Sequence, residues 1–311
     1  MDRAMTRLIS TSPPRGPDHR PSQLAAIGGL AADDSDPSTA TAAVPVMRLQ
    51  LLSDLHVDLA DTGRLQLVPG ADLVVVAGDT CQGAVAAFAY LRQHIPAPIP
   101  IVMVMGNHEY YGAVLQDELA RARAAAQSFD ITLLENDAVV IGGVRILGCT
   151  LWTNYRLFGA GHRPVAMAAA RRVMNDHRRI AGAHLPAWQP FLPADAADLH
   201  AGSVRFIADT LAMPHDGPSI VVTHHAPHPE GIAPRFGRDP VSAAFASDLS
   251  DLIAAGGPEL WLSGHTHHPI NLMIGRTRLV SNPHGYGDEC KAFDPALVIE
   301  IPITRSKENR P

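Results

Sequence analysis

From Met47 onward, short apolar runs alternate with longer amphipathic stretches. Met47 to Leu52 reads as a strand, Asp72 to Ala77 (DLVVVA) as a second and Ile99 to Met105 as a third. Each is a short apolar run of the length a buried strand uses. Gly83 to His94 and Ala113 to Ser128 carry helical patterns. This alternation predicts βαβ units and a mainly parallel, buried sheet. Ala138 to Trp152 then shows two β runs around Gly142-Gly143, a hairpin pattern. Arg163 to Met213 is mostly helical. Ser219 to Thr223, Glu259 to Leu262, Ile270 to Ile274, Thr277 to Ser281 and Ala296 to Ile301 return to strand. Early βαβ units followed by late hairpins predict an α/β fold in which two sheets pack face to face, with helices outside.

Residues 1 to 46 lack this patterning. They are rich in Pro, Ser, Ala, Asp and Thr, and are expected to form a disordered leader. Leu24 to Ala32 is too weakly apolar for a signal-peptide core, and Asp33-Asp34 follow at once. Met47 is a candidate natural start, with the leader an upstream extension. One domain is expected over residues 47–303, with a tail over 304–311. No apolar run is long enough to span a bilayer, so no membrane partner is expected.

Charge narrows the function classes. The 25 basic and 31 acidic residues give a formal charge of −6, which offers no footprint for general nucleic-acid binding. The three cysteines, Cys81, Cys149 and Cys290, are few and widely spaced. A disulfide framework is not expected, and a reducing, cytoplasmic setting fits. No CxxC pair offers a zinc site. Histidine is abundant at 16 residues, with tight groups at His224-His225 and His265-Thr266-His267-His268. Such clusters are read either as a metal site or as surface histidines in a His-rich chain.

Position along the strands favours the metal site. Met47 to Leu52 runs into Ser53-Asp54-Leu55-His56, and Leu73 to Ala77 into Gly78-Asp79. Ile101 to Met105 runs into Gly106-Asn107-His108-Glu109, Ile220 to Thr223 into His224-His225, and Leu260 to Leu262 into Ser263-Gly264-His265-Thr266-His267. In an open α/β sheet, ligands bind outside the carboxyl ends of the strands. Taken singly, Asp54 reads as a turn residue or helix cap, His56 as a loop histidine and Asp79 as part of a Gly-Asp turn. Their arrival together at successive strand ends is what points to chemistry.

This set, Asp54-Leu-His56, Gly78-Asp79, Gly106-Asn107-His108-Glu109, His224 and Gly264-His265-Thr-His267, resembles the calcineurin-like metallophosphoesterase superfamily. The motifs occur in order over Met47 to Ile303 and look most like small bacterial members that resemble class III cyclic-nucleotide phosphodiesterases. The resemblance implies a four-layer α-β-β-α sandwich of two mixed sheets with a helical insert, and two metals at one edge. It implies that Asp54, His56, Asp79 and His267 hold one ion and that Asp79, Asn107, His224 and His265 hold the other. Asp79 would bridge them, and His108 would act as general acid or electrophile. Whether His224 or His225 is the ligand stays open, with His224 favoured by its place directly at the strand end.

The residue types suit that chemistry. A bridging carboxylate can hold two cations ~3.5–4 Å apart. Neutral imidazoles and a carboxamide leave the cluster net positive, which attracts phosphate. Nitrogen and oxygen ligands without thiolate suit divalent Mn, Fe or Zn. The expected activity is hydrolysis of a small phosphomono- or phosphodiester by a metal-activated hydroxide. The competing readings are a nuclease acting on single-stranded nucleic acid and a non-catalytic scaffold on the same fold.

Other segments carry weaker signals. Cys81 lies two residues after Asp79 and reads as a packed small residue or a group near the site. Met174-Asn175-Asp176-His177-Arg178-Arg179 either reaches over the metals or forms a solvated helix face. Asn282-Pro283-His284-Gly285-Tyr286 and Trp152-Thr153-Asn154-Tyr155 end strands and are candidate pocket loops, with Trp152 better suited to the core.

Overall fold

The computed structural model describes residues 44–59, 65–183 and 188–303. The expected leader, up to residue 43, and the expected tail, 304–311, lie outside the described residues.

The strands, in chain order, are β1 (Val46–Leu52), β2 (Leu73–Ala77), β3 (Ile101–Val104), β4 (Ile131–Leu133), β5 (Asp137–Ile141), β6 (Val144–Cys149) and β7 (Ala181–Ala183). They continue with β8 (Gln189–Pro190), β9 (Ser219–Thr223), β10 (Leu260–Ser263), β11 (Ile270–Ile274), β12 (Thr277–Ser281) and β13 (Val298–Pro302). The helices are α1 (Ala84–His94), α2 (Leu115–Ala126), α3 (Arg163–Val173), α4 (Asp176–Arg179), α5 (Pro193–Ala212) and α6 (Ser250–Ala254).

One sheet has five strands in the order β13-β1-β2-β3-β4, and a second has six in the order β11-β12-β10-β9-β6-β5. Within the first, β1, β2, β3 and β4 run parallel and β13 closes the edge antiparallel. Within the second, β6, β9, β10 and β12 are parallel and hairpins supply both edges.

Side-chain alternation along each strand explains the layering, because successive residues point to opposite faces. In β2, Leu73, Val75 and Ala77 face the second sheet, meeting Val144, Ile146, Ile220, Val222 and Leu262 in one core. Val74 and Val76 face the other way, onto Phe88 and Leu91 of α1. The outer face of the second sheet presents Leu147, Val221, Trp261 and Leu279 to Ile207 of α5 and Ile253 of α6. The result is a four-layer sandwich. Both faces of the central strands are covered, so they read as unbroken apolar runs. Burying each Val or Leu contributes roughly 1.5–3 kcal/mol.

The stretch expected to be mostly helical contains a small antiparallel two-stranded sheet, β7 with β8. Gly182 is a poor helix former and Pro190 has no amide hydrogen to donate, so the helix does not run through them. Ala181 instead donates to the Ala113 carbonyl at 2.9 Å. That contact docks the α3–α4–β7–β8 insert beside the segment that follows β3. The short strand β4 is also absent from the sequence expectation, since three residues leave no measurable period.

Candidate metal centre

The carboxyl ends of β1, β2 and β3 in one sheet and of β9 and β10 in the other converge on one edge. The turns leaving them adopt a costly conformation. Asp54 (φ 53°), His56 (φ 47°), Asp79 (φ 55°), His265 (φ 64°) and His267 (φ 46°) are all left-handed. For a residue with a Cβ this costs about 1–2 kcal/mol, and such strain gathers at functional sites. Backbone bonds between the turns hold it in place. Asp54 N donates to the Gly78 carbonyl (3.0 Å), His56 N to the Asp79 carbonyl (3.1 Å) and Gly264 N to the His224 carbonyl (2.9 Å).

Side chains complete the lock. The Asp54 carboxylate accepts from His265 N at 2.8 Å, and the Asp79 carboxylate accepts from His108 N at 2.8 Å. Glu109 accepts from the amides of Asp79, Thr80 and Gly106 at 2.7–3.0 Å, which pins the β2 and β3 turns to each other. Burial, with Asp79 close by, pushes the Glu109 carboxyl up to about 8. Gly106 and Gly264 are required here. A Cβ on Gly264 would stand 2.5 Å from the Asp54 carboxylate, and one on Gly106 would meet the Asp79 amide at 2.7 Å.

Within this frame three groups of side chains present ligand-type atoms within 4.8 Å of one another. They are Asp54, His56 and His267; His56, Asp79 and His108; and Asp79, His224 and His265, all buried. Asn107 joins the last, with its oxygen 3.0 Å from His224 Nε2. The structure therefore brings together Asp54, His56, Asp79, Asn107, His108, His224, His265 and His267. Of the adjacent pair, His224 turns into the cluster, its Nε2 lying 3.4 Å from the Asp79 carboxylate. His225 turns away and bonds the Thr150 carbonyl through Nδ1 at 3.1 Å.

The donor set fits a cation. His224 Nδ1 lies 2.8 Å from the Ala77 carbonyl and must carry a hydrogen there. In a neutral ring that leaves Nε2 with a lone pair, yet Nε2 faces the Asn107 oxygen and the Asp79 carboxylate. His267 repeats the pattern, with Nδ1 2.7 Å from Glu289 and Nε2 aimed at His56 Nε2 (3.1 Å) and Asp54 (3.5 Å). Acceptors thus point at one another, and positive charge between them resolves the conflict. Asp54 Oδ2 and His265 Nε2 are buried without a hydrogen-bond partner among the described residues.

The electrostatics agree. Burial alone would lower both imidazoles, but Asp79 beside His224 holds it up to about 9, and bonds to Asp54 and Glu289 hold His267 up to about 10. Burial depresses His56, His108 and His265, favouring neutral rings. Asp79 is held well below the usual carboxylate range; burial opposes this, and His224 and His108 overcome it.

His108 sits on a 3-10 turn, His108–Tyr110, at the rim of the cluster. Its Nε2 meets the Tyr286 hydroxyl at 3.1 Å. The Asn282–Tyr286 segment reaches the site because His284 N and Gly285 N bond the carbonyls of Ser53 and Asp54, both at 3.0 Å. Trp152 is core, packed on Phe191 and Tyr110. Cys81 is also core, its thiol pushed by burial up to about 12. Asp176 is buried, while Arg178 beside it is exposed, so the flagged insert segment divides between the two readings. Glu289 carries no signal in the sequence, because one of two adjacent acids in a Gly-Asp-Glu-Cys loop stands at no telling spacing from His267.

A four-layer sandwich with Asp, His and Asn side chains gathered at one sheet edge defines a metallophosphoesterase. The chain belongs to the calcineurin-like phosphoesterase family, whose sequence profile matches residues 47–269, and it is a phosphoric ester hydrolase. No curated protein sequence matches it significantly. Among solved structures it is similar to a phosphopantetheinyl hydrolase from Mycobacterium tuberculosis, at 17% identity and TM-score 0.62, over 85% of this chain and 98% of that one. It also matches a candidate 5′-nucleotidase from Staphylococcus aureus at 13% identity and TM-score 0.43, over 77% of this chain and 49% of that one. Among the described residues no helix is long and apolar enough to cross a membrane.

Proposed function

We propose that the cluster is a dinuclear centre that hydrolyses small phosphomono- or phosphodiesters. Asp54, His56, Asp79 and His267 hold one ion; Asp79, Asn107, His224 and His265 hold the other. The observation that carries this reading is the place of Asp79, whose carboxylate belongs to a ligand-type group on either side. Hard oxygen and imidazole donors suit divalent Mn, Fe or Zn. Bound ions supply Lewis acidity toward phosphoryl oxygens and lower the pKa of water.

The protein's own groups then divide the work. Asp79 is the sole carboxylate shared between the proposed ligand sets, so the remaining donors are mostly neutral and the loaded centre stays net positive toward a phosphate. His108 is held by its backbone bond to Asp79, with Nε2 3.9 Å from the Asp79 carboxylate. On this reading His108, once protonated against the depression by burial, hands a proton from that nitrogen to a departing alkoxide. The Tyr286 hydroxyl and the ring of His56 border it.

The deciding experiment is a metal-reconstituted screen against aryl phosphomonoesters, aryl phosphodiesters, cyclic nucleotides and nucleotide anhydrides. A phosphopantetheinyl conjugate joins the panel because the M. tuberculosis neighbour is named for that activity. Turnover that disappears with chelator and returns with Mn is expected. Equal turnover by the metal-free protein would refute the reading. A nuclease role has less support at a net charge of −6, and a salt-dependent mobility shift with single-stranded DNA would restore it.

A further inference from the structure

We propose that Asp176, on the helical insert, is a positioning residue that sets which end of the Asn107 carboxamide faces the metal cluster. The inference rests on the dinuclear reading above and concerns how one of its ligands is made.

A carboxamide has two ends, and only the oxygen can serve a cation. Asn107 follows β3 at the cluster edge and is 2% exposed, so water cannot choose between them. Two neighbours do. The Asn107 nitrogen lies 2.8 Å from Asp176 Oδ1 and 2.9 Å from the Tyr111 hydroxyl. The Tyr111 hydroxyl in turn donates to the same Asp176 oxygen at 2.8 Å. With its own hydrogen spent there, the hydroxyl accepts from Asn107. Both amide hydrogens are thereby used, and the oxygen is left facing His224 Nε2 at 3.0 Å. Rotating the amide by half a turn would set an oxygen against the Asp176 carboxylate and aim two hydrogens at the cluster. An acceptor-only carboxylate forbids the first, and a cation forbids the second.

Asp176 opens α4, remote in sequence from Asn107, and is itself 3% exposed. A buried carboxylate must be hydrogen-bonded to be tolerated, and Asn107 and Tyr111 supply those bonds. The same insert grips the site a second time. Arg179 donates to the Gln82 side chain at 2.7 Å and lies 4.6 Å over the Tyr111 ring. The insert thus acts on the cluster through Asn107. It orients one of its ligands from outside, as the outer partners of metal ligands do.

The test measures metal binding, not turnover. Wild type, Asp176→Leu, Asp176→Asn and Tyr111→Phe are stripped, checked for folding by circular dichroism and thermal melting in chelator, and titrated with Mn. Outer partners of ligands typically contribute ~10–100-fold in affinity. Asp176→Leu is expected to weaken one ion by that factor and leave the other unchanged. Asp176→Asn keeps an oxygen that accepts from both Asn107 and Tyr111. Although its amide nitrogen would also tolerate the rotated Asn107, the cation still opposes that rotation, so the variant is expected to restore most of the affinity. Tyr111→Phe should weaken the same ion by less. If Asp176→Asn is as damaging as Asp176→Leu, charge and not orientation is at work, and the inference fails. Unchanged affinities in Asp176→Leu and Tyr111→Phe also overturn it, and Tyr111→Phe decides alone should the leucine variant not fold. A wild type that binds fewer than two ions would end the dinuclear reading itself. A two-ion wild type with unaffected variants ends only the role of Asp176.

Discussion

His224 Nε2 stands 3.1 Å from His265 Nδ1 while the other His224 nitrogen is committed to the Ala77 carbonyl. The two rings meet nitrogen to nitrogen, with Asp79 and the Asn107 oxygen closing in on the same point. Positive charge at its centre, from a proton or a cation, relieves the His224 lone pair that the Asp79 carboxylate and the Asn107 oxygen face. Metal loading should therefore stabilise the fold. An ion present at a hundredfold over its Kd adds ~2.7 kcal/mol. The melting temperature is expected to rise on addition of Mn to the stripped protein and to fall back with chelator. A melting temperature indifferent to both would contradict a metal between these rings.

Asp79 belongs to the groups on both sides of the cluster, whereas Asp54 belongs to one. Asp79→Asn should lose both ions and nearly all turnover. Asp54→Asn should keep the ion on the His224 side. Metal content per chain, measured by elemental analysis, separates the two variants. Two tightly held ions in Asp79→Asn would remove Asp79 from the bridging position.

His108 lies among ligand-type atoms, but Asn107 already serves its strand end. His108→Ala is expected to keep both ions and lose ~10²–10⁴-fold in turnover of a substrate with a poor leaving group. The loss should be smaller with p-nitrophenyl substrates, whose leaving group needs little protonation. Equal losses on both would assign His108 to orienting phosphate, and loss of metal would make it a ligand.

His200, on α5, is 4% exposed. It bonds the Trp152 carbonyl at 3.3 Å, and burial lowers its pKa to about 4. The unfolded chain takes up this proton near pH 6.5, but the folded chain does not until about pH 4. Stability from this residue is thus complete above pH 6.5 and falls away as pH drops toward 4. Between pH 7 and pH 5 the loss is about 2 kcal/mol by linkage. In urea unfolding at those two pH values, His200→Asn should shrink the wild-type difference by about that amount. An unchanged difference would show that His200 titrates normally in the fold.

The strands and their order of chemistry were legible along the chain because buried strands read as unbroken apolar runs and their ends are marked by abrupt Asp, His and Asn. DLVVVA followed by Gly78-Asp79 signals both the strand and the polar turn beyond it. Local pattern also sufficed for the β5–β6 hairpin at Gly142-Gly143. It did not suffice for β7 and β8, which exist through pairing with each other and with Ala113. Nor could it say which of His224 and His225 faces the cluster. Adjacent residues at a strand end differ only in direction, and the carbonyls that orient them come from Ala77 at the end of β2 and from Thr150 just beyond β6. Glu289 behind His267 and Asp176 behind Asn107 belong to the same class. A candidate ligand is visible in its own turn, but the partner that aims it lies far along the chain, and only packing of the two sheets and the insert brings it within hydrogen-bond range.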